Sequence, residues 1–160
     1  MTNKYNKVTP TVFLFDIFGV LCGLEDGRVN TEIFEIINKL RGKYKTAILS
    51  NADAISVRAR FEKQNFPLEK YFDYIFISSE TGLLKPDPEA FKHSLNIMEV
   101  KPEGVIFIDD TKGNILSAES VGMNTFHYKQ LIDFYKWVTP FCYSRDCDDL
   151  GSTFRALEQI

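Results

Sequence analysis

A chain of 160 residues has room for one domain, and 44% hydrophobic with 14% aromatic residues supply a core too large for a disordered segment. The net charge of −3, from 19 basic and 22 acidic residues, excludes a global field that would draw nucleic acid or an anionic membrane, and no concentrated basic run stands out. No apolar stretch approaches the ~20 residues that span a bilayer, and Met1 to Pro10 lacks the apolar core of a signal peptide. Three cysteines, Cys22, Cys142 and Cys147, form an odd and sparse set with no zinc-site companions, so reduced thiols and a cytoplasmic location are expected.

In chain order, Val12 to Phe15 is the first short, continuous apolar run, of the kind that forms a parallel strand buried on both faces. Ile33, Ile36, Ile37 and Leu40 then recur at i, i+3, i+4 and i+7 and predict a helix from Thr31 to Leu40. Ala47 to Leu49, Tyr74 to Ile77 and Val105 to Ile108 repeat the strand pattern, and Asn124 to Tyr128 offers a fifth strand. Before the fourth strand, Phe91, Leu95 and Met98 mark a helix opened by Asp87 as N-cap and Pro88 at the first helical position. After it, Ile115, Ala118 and Val121 mark another, closed by Gly122. This alternation implies right-handed crossovers and an α/β fold: a three-layer α/β/α sandwich around a Rossmann-like, mostly parallel five-stranded sheet.

Ligands of such sheets bind beyond the carboxyl ends of the strands. Asp16 follows the first strand, Ser50 and Asn51 the second, and Asp109 and Asp110 the fourth; Lys85 lies beyond the third, in Gly82-Leu-Leu-Lys-Pro-Asp-Pro88. Each feature alone has a plain structural explanation, as a helix cap, a turn or a solvated loop residue. Their occurrence in order, each at a strand end, points instead to one crevice. Three carboxylates meeting there repel one another unless a cation neutralises them, and an all-oxygen donor set suits Mg²⁺ better than zinc.

Phe15-Asp-Ile-Phe-Gly-Val-Leu21 resembles the first motif of the haloacid dehalogenase superfamily, an Asp-x-Asp-Gly-Val/Thr-Leu loop. Ile48 to Asp53 is similar to the second motif, Lys85 to Phe91 to the third, and Phe107 to Asn114 to the fourth. The resemblance implies a Mg²⁺-dependent hydrolase, a phosphomonoester phosphatase in which Asp16 attacks phosphorus and becomes an aspartyl-phosphate. It implies further that Ser50 or Asn51 hydrogen-bonds the phosphoryl oxygens, and that Lys85 neutralises Asp16 and the transferred group. Asp110 would bind the metal directly and Asp109 through water or as an orienting group, with Asp16 and the main-chain carbonyl of Phe18 completing the set.

One position departs from the pattern. Phe18 stands where family phosphatases place the acid that protonates the leaving oxygen, and Phe cannot move a proton. Three readings stay open: a phosphatase with a good leaving group or with its proton from Glu25 or Asp26; a catalytically weak domain that binds a phosphorylated ligand or a protein; or a dehalogenase, whose relatives carry an aromatic Tyr at this position but use no Mg²⁺.

About 34 positions separate Asp16 from Ser50, too few for the cap domain that larger relatives insert there. A single core domain over residues 1–160 without a sizeable cap is expected, with 129–160 as a helical extension of it. The phosphorylated substrate can then be a small molecule or a macromolecule. Leu131, Ile132, Phe134, Tyr135, Trp137, Val138, Phe141 and Tyr143 predict a helix to about Val138 that covers the sheet or supports self-association, and Leu150 to Ile160 a last amphipathic helix. His93 and His127 have no companions suggesting a ligand set and read as structural.

Overall fold

The structure is a computed structural model and describes residues 9–142. Five strands, β1 (Val12–Phe15), β2 (Lys45–Ser50), β3 (Tyr74–Ile77), β4 (Val105–Asp109) and β5 (Asn124–His127), form one sheet in the order β3-β2-β1-β4-β5. Every pairing is parallel. All four residues of β1 are buried, and they alternate between two cores. Phe13 and Phe15 face one cluster with Ile33, Phe34, Phe61 and Phe134; Val12 and Leu14 face the other with Phe91, Phe107 and Ile115. Burial on both faces explains why the strands read as unbroken apolar runs rather than as alternation.

Three of the predicted helices stand where periodicity put them: α1 (Thr31–Leu40), α5 (Pro88–Met98) and α6 (Lys112–Ser120). Asp87 caps α5 by accepting from the Glu89 N–H at 2.9 Å, and Gly122 follows α6 with φ +91°. Three more helices lie between β2 and β3 or just after β3: α2 (Ala54–Lys63), α3 (Leu68–Tyr71) and α4 (Ser78–Thr81). The turn of α4 therefore separates Lys85 from β3.

At the far end of the described residues, α7 (Leu131–Val138) buries Phe134 and Val138, and Trp137 packs on Phe126 with ring centroids 4.6 Å apart. Phe141 meets Phe13 edge-on at 5.4 Å. Over the described residues this segment covers the sheet. The predicted Leu150–Ile160 helix and Cys147 lie outside the described residues.

One polar tie joins the start of β2 to the residue that precedes β3. The Asp73 carboxylate accepts from the Thr46 N–H at 2.9 Å and from Lys45 Nζ at 3.0 Å. Partial burial alone would raise this carboxyl, but the Thr46 N–H and the Lys45 ammonium outweigh it and hold the group below its ordinary range. A depressed folded value gives stability that is present above the unfolded value, near 3.9, and is lost as pH falls through the folded one. Asp73→Ala is expected to cost about 1–2 kcal/mol at neutral pH, the scale for leaving a backbone donor unpaired, and less below about pH 4. Urea unfolding at pH 7 and pH 3.5 checks both the size and the sign.

Candidate active site

The strand order reverses at β1: β2 and β3 extend to one side, β4 and β5 to the other. Such a switch point leaves a crevice beyond the carboxyl ends. Asp16 leaves β1 there, its N–H bonded to the Ile108 carbonyl of β4 at 2.9 Å, while Asp109 ends β4 and Asp110 follows. Asp16, Asp109 and Asp110 each offer an oxygen lying within 4.8 Å of the others.

Lys85 reaches the same point. Its Nζ lies 2.8 Å from Asp16 Oδ1 and 2.6 Å from Asp109 Oδ2, with the ammonium side chain 1% exposed. Burial pushes the Asp16 carboxyl above its ordinary range, against the pull of Lys85, and the Asp109 charge adds to the rise. Three carboxylates and one ammonium leave a formal charge of −2 in a largely buried cluster. A divalent cation would cancel it, and oxygen donors suit Mg²⁺. The donor set therefore fits the ion.

The two adjacent aspartates differ in what they have left to give. Asp109 is fully buried and already accepts from Lys85 Nζ, from Asn114 Nδ2 at 3.0 Å and from the Thr111 N–H at 2.7 Å. Asp110 is only half-buried, and among the described residues its carboxylate accepts one bond, from Thr111 Oγ1 at 3.2 Å. Its backbone carbonyl accepts from His127 Nε2 at 2.9 Å, which fixes the proton on that nitrogen. Gly19, at φ +83°, packs against the Asp110 carboxylate so closely that a Cβ would stand 2.3 Å from Oδ2. A side chain there would be strained and would push that carboxylate aside.

Ser50 and Asn51 part company. The Ser50 hydroxyl is buried beside Asp16 and helps hold it charged, yet among the described residues it makes no well-formed hydrogen bond. It is left open for an incoming oxygen. The Asn51 carboxamide is engaged at both ends: Nδ2 donates to the Lys85 carbonyl at 2.7 Å, and Oδ1 accepts the Lys85 N–H at 2.8 Å. It staples the Lys85 peptide to the end of β2.

Phe18 is half-buried among core residues, and its ring carries the Arg60 guanidinium 5.8 Å from the centroid. A cation on a ring at such a surface contributes about 0.5–1 kcal/mol. Among the described residues no backbone N–H donates to the Phe18 carbonyl. Beside Asp110 and Gly19 a cleft of about 610 Å³ opens, walled by the Leu24 to Asp26 turn on one side and by Tyr128 and Lys129 on the other. Between Asp16 and β2 the chain forms this loop and α1. Burial pushes the nearby Cys22 thiol up to about 11, which leaves it unreactive. His93 lies on α5, edge-on to Phe76 at 6.1 Å and away from this cluster.

Sequence reasoning missed the supports of the site: Thr111, Asn114, His127 and Gly19. Asn114 and Thr111 sit inside the fourth motif and Gly19 inside the first, so their nearness to the aspartates was visible in outline. The His127 contact was not, because it depends on β5 pairing Asp109 with His127.

The model of the haloacid dehalogenase-like hydrolase family matches residues 2–122, and the chain belongs to that family. It is similar to the bifunctional epoxide hydrolase 2 of Rattus norvegicus, 29% identical over 100 residues, 61% of this chain and 18% of that protein. It is likewise similar to the D-ribitol-5-phosphate phosphatase of Bacteroides thetaiotaomicron, 28% identical over 115 residues, 69% of this chain and 56% of that protein. The chain thus spans little more than half of one curated relative and less than a fifth of the other. Its fold matches that of a haloacid dehalogenase family enzyme from Bacteroides thetaiotaomicron solved with magnesium and inorganic phosphate. The TM-score is 0.67 at 20% identity, covering 76% of this chain and 95% of that one. Among the described residues no helix is long and apolar enough to cross a membrane.

Proposed function

We propose that the chain hydrolyses phosphate monoesters with Mg²⁺ as cofactor, through an aspartyl-phosphate formed on Asp16. The observation that carries this reading is the juxtaposition of a buried carboxylate, its ammonium partner and an unsatisfied buried hydroxyl at the switch point of the sheet. Asp16, Asp110 and the Phe18 carbonyl would hold the ion, which would offset charge building on the phosphoryl oxygens.

The chain's own residues do the rest. The phosphoryl group sits against the Ser50 hydroxyl and the Lys85 ammonium, which attract its oxygens and aim phosphorus at Asp16. An Asp16 oxygen attacks phosphorus, the bond to the leaving oxygen breaks, and that oxygen keeps the electron pair. Water then attacks phosphorus, releases inorganic phosphate and restores the carboxylate. Asp109, held by Lys85, Asn114 and Thr111, acts as an orienting group. The D-ribitol-5-phosphate phosphatase relative and the phosphate-bound neighbour support this reading.

Phosphate esters with graded leaving groups, incubated with and without Mg²⁺, test it. Metal-dependent phosphate release is the expected result. If no ester releases phosphate while calorimetry still shows Mg²⁺ binding, a binding role replaces hydrolysis.

A further inference from the structure

We propose that Glu25 is the general acid and base of this site, in place of the carboxyl that Phe18 lacks; the proposal rests on the hydrolase reading above. In-line displacement sends the leaving oxygen out opposite the attacking Asp16 oxygen, toward the open side of the site, and it needs a proton there if it is an alkoxide. Phe18 supplies none, and its ring is engaged with Arg60. The Gly23 to Arg28 loop folds back on itself, with the Gly23 N–H bonded to the Arg28 carbonyl at 2.9 Å, and places Glu25 in the wall of the cleft that also contains Gly19 and Asp110.

Of the three acidic residues in that wall, Asp110 is placed to hold the metal, and Glu25 is the one of the other two that is free to work. Asp26 is committed: its Oδ1 accepts the Arg28 N–H at 2.9 Å and lies over Gly23, and its Oδ2 pairs with the Arg28 guanidinium at 3.8 Å. Among the described residues Glu25 makes no hydrogen bond or ion pair, and it is exposed to the cleft. Tyr128 is buried, and its hydroxyl already accepts from Asn30 Nδ2 at 3.3 Å. Lys129 offers positive charge, but the second half of the reaction requires a base, which a carboxylate provides and an ammonium does not.

The steps balance. Asp16 attacks, the phosphorus–oxygen bond of the ester breaks, and the leaving oxygen takes the Glu25 proton to give an alcohol. The Glu25 carboxylate then takes a proton from water as that water attacks the aspartyl-phosphate. Inorganic phosphate leaves, and both carboxyl groups return to their starting states.

Leaving groups that depart as stable anions need little proton transfer, and alkoxides need much. Glu25→Gln is expected to lower kcat/KM on ethyl phosphate by about 10²–10⁴-fold, the usual worth of a placed acid, with a loss at least roughly tenfold smaller on 4-nitrophenyl phosphate. Glu25→Asp should recover part of the ethyl phosphate rate. Asp26→Asn should show no such dependence on the leaving group. Equal losses on both esters, no loss on ethyl phosphate, or a wild-type protein that cleaves only the nitrophenyl ester would each overturn the assignment of Glu25. Absence of release from either ester by the wild-type protein would instead sink the hydrolase reading, and this proposal with it.

Discussion

Asp16→Asn is expected to abolish phosphate release, lowering kcat by roughly 10⁴-fold or more, because an amide cannot serve as the attacking oxygen and loss of a nucleophile removes the covalent route entirely. The substitution is isosteric, and the fold should survive it. Lys85 keeps its 2.6 Å contact with Asp109, so no buried ammonium is stranded. The site's formal charge falls from −2 to −1, and Mg²⁺ should bind more weakly as well. Phosphate release, a melting curve and Mg²⁺ calorimetry separate the three effects. Turnover within tenfold of the wild type would mean that Asp16 is not the nucleophile.

Lys85→Met should damage stability and chemistry together. It leaves Asp16 and Asp109 buried side by side without the cation that bridges them at 2.8 and 2.6 Å. Breaking a buried pair by removing one partner costs about 3–5 kcal/mol. In a chain of this length that corresponds to a fall in Tm of roughly 6–20 °C. Because the lost charge is positive, added Mg²⁺ should narrow the gap between variant and wild type more than it stabilises the wild type itself. A metal-free deficit below about 1 kcal/mol would show that the ammonium is not what allows these carboxylates to be buried together.

The fold was legible where burial was complete. Parallel strands covered on both faces appear as runs such as Val12 to Phe15, and α1 shows its apolar stripe because Ile33, Ile36, Ile37 and Leu40 are all buried. The α2 helix escaped because only Ala54, Val57 and Phe61 of its ten residues are buried, while Ile55 is 82% exposed and blurs the spacing. Its start was marked nonetheless: Asp53 accepts from the Ser56 N–H at 2.8 Å, a cap that the sequence displays. The single turn of α4 is too short for any period to register.

The strand-end rule brought Asp16, Lys85, Asp109 and Asp110 together correctly, since parallel topology alone converges them. What it could not assign was division of labour. Ser50 and Asn51 are neighbours in sequence with similar chemistry, and only the contact to Lys85, 34 residues on, shows that the carboxamide is taken. Likewise Asp109 and Asp110 look alike until Asn114, Thr111 and Lys85 are seen to occupy the first and leave the second open.

That two-ended grip by Asn51 has a further consequence. The Lys85 ammonium takes its bearings from the end of β2, by way of one amide, as well as from the chain that leads up to it. Residues 52 to 84, which hold α2, α3, the edge strand β3 and α4, form a span whose two ends that amide pins together. Its helical connections on either side of β3 can lengthen, shorten or change their surface while the charge at the exit stays put. Diversity in what this scaffold accepts could accumulate there without disturbing the reaction.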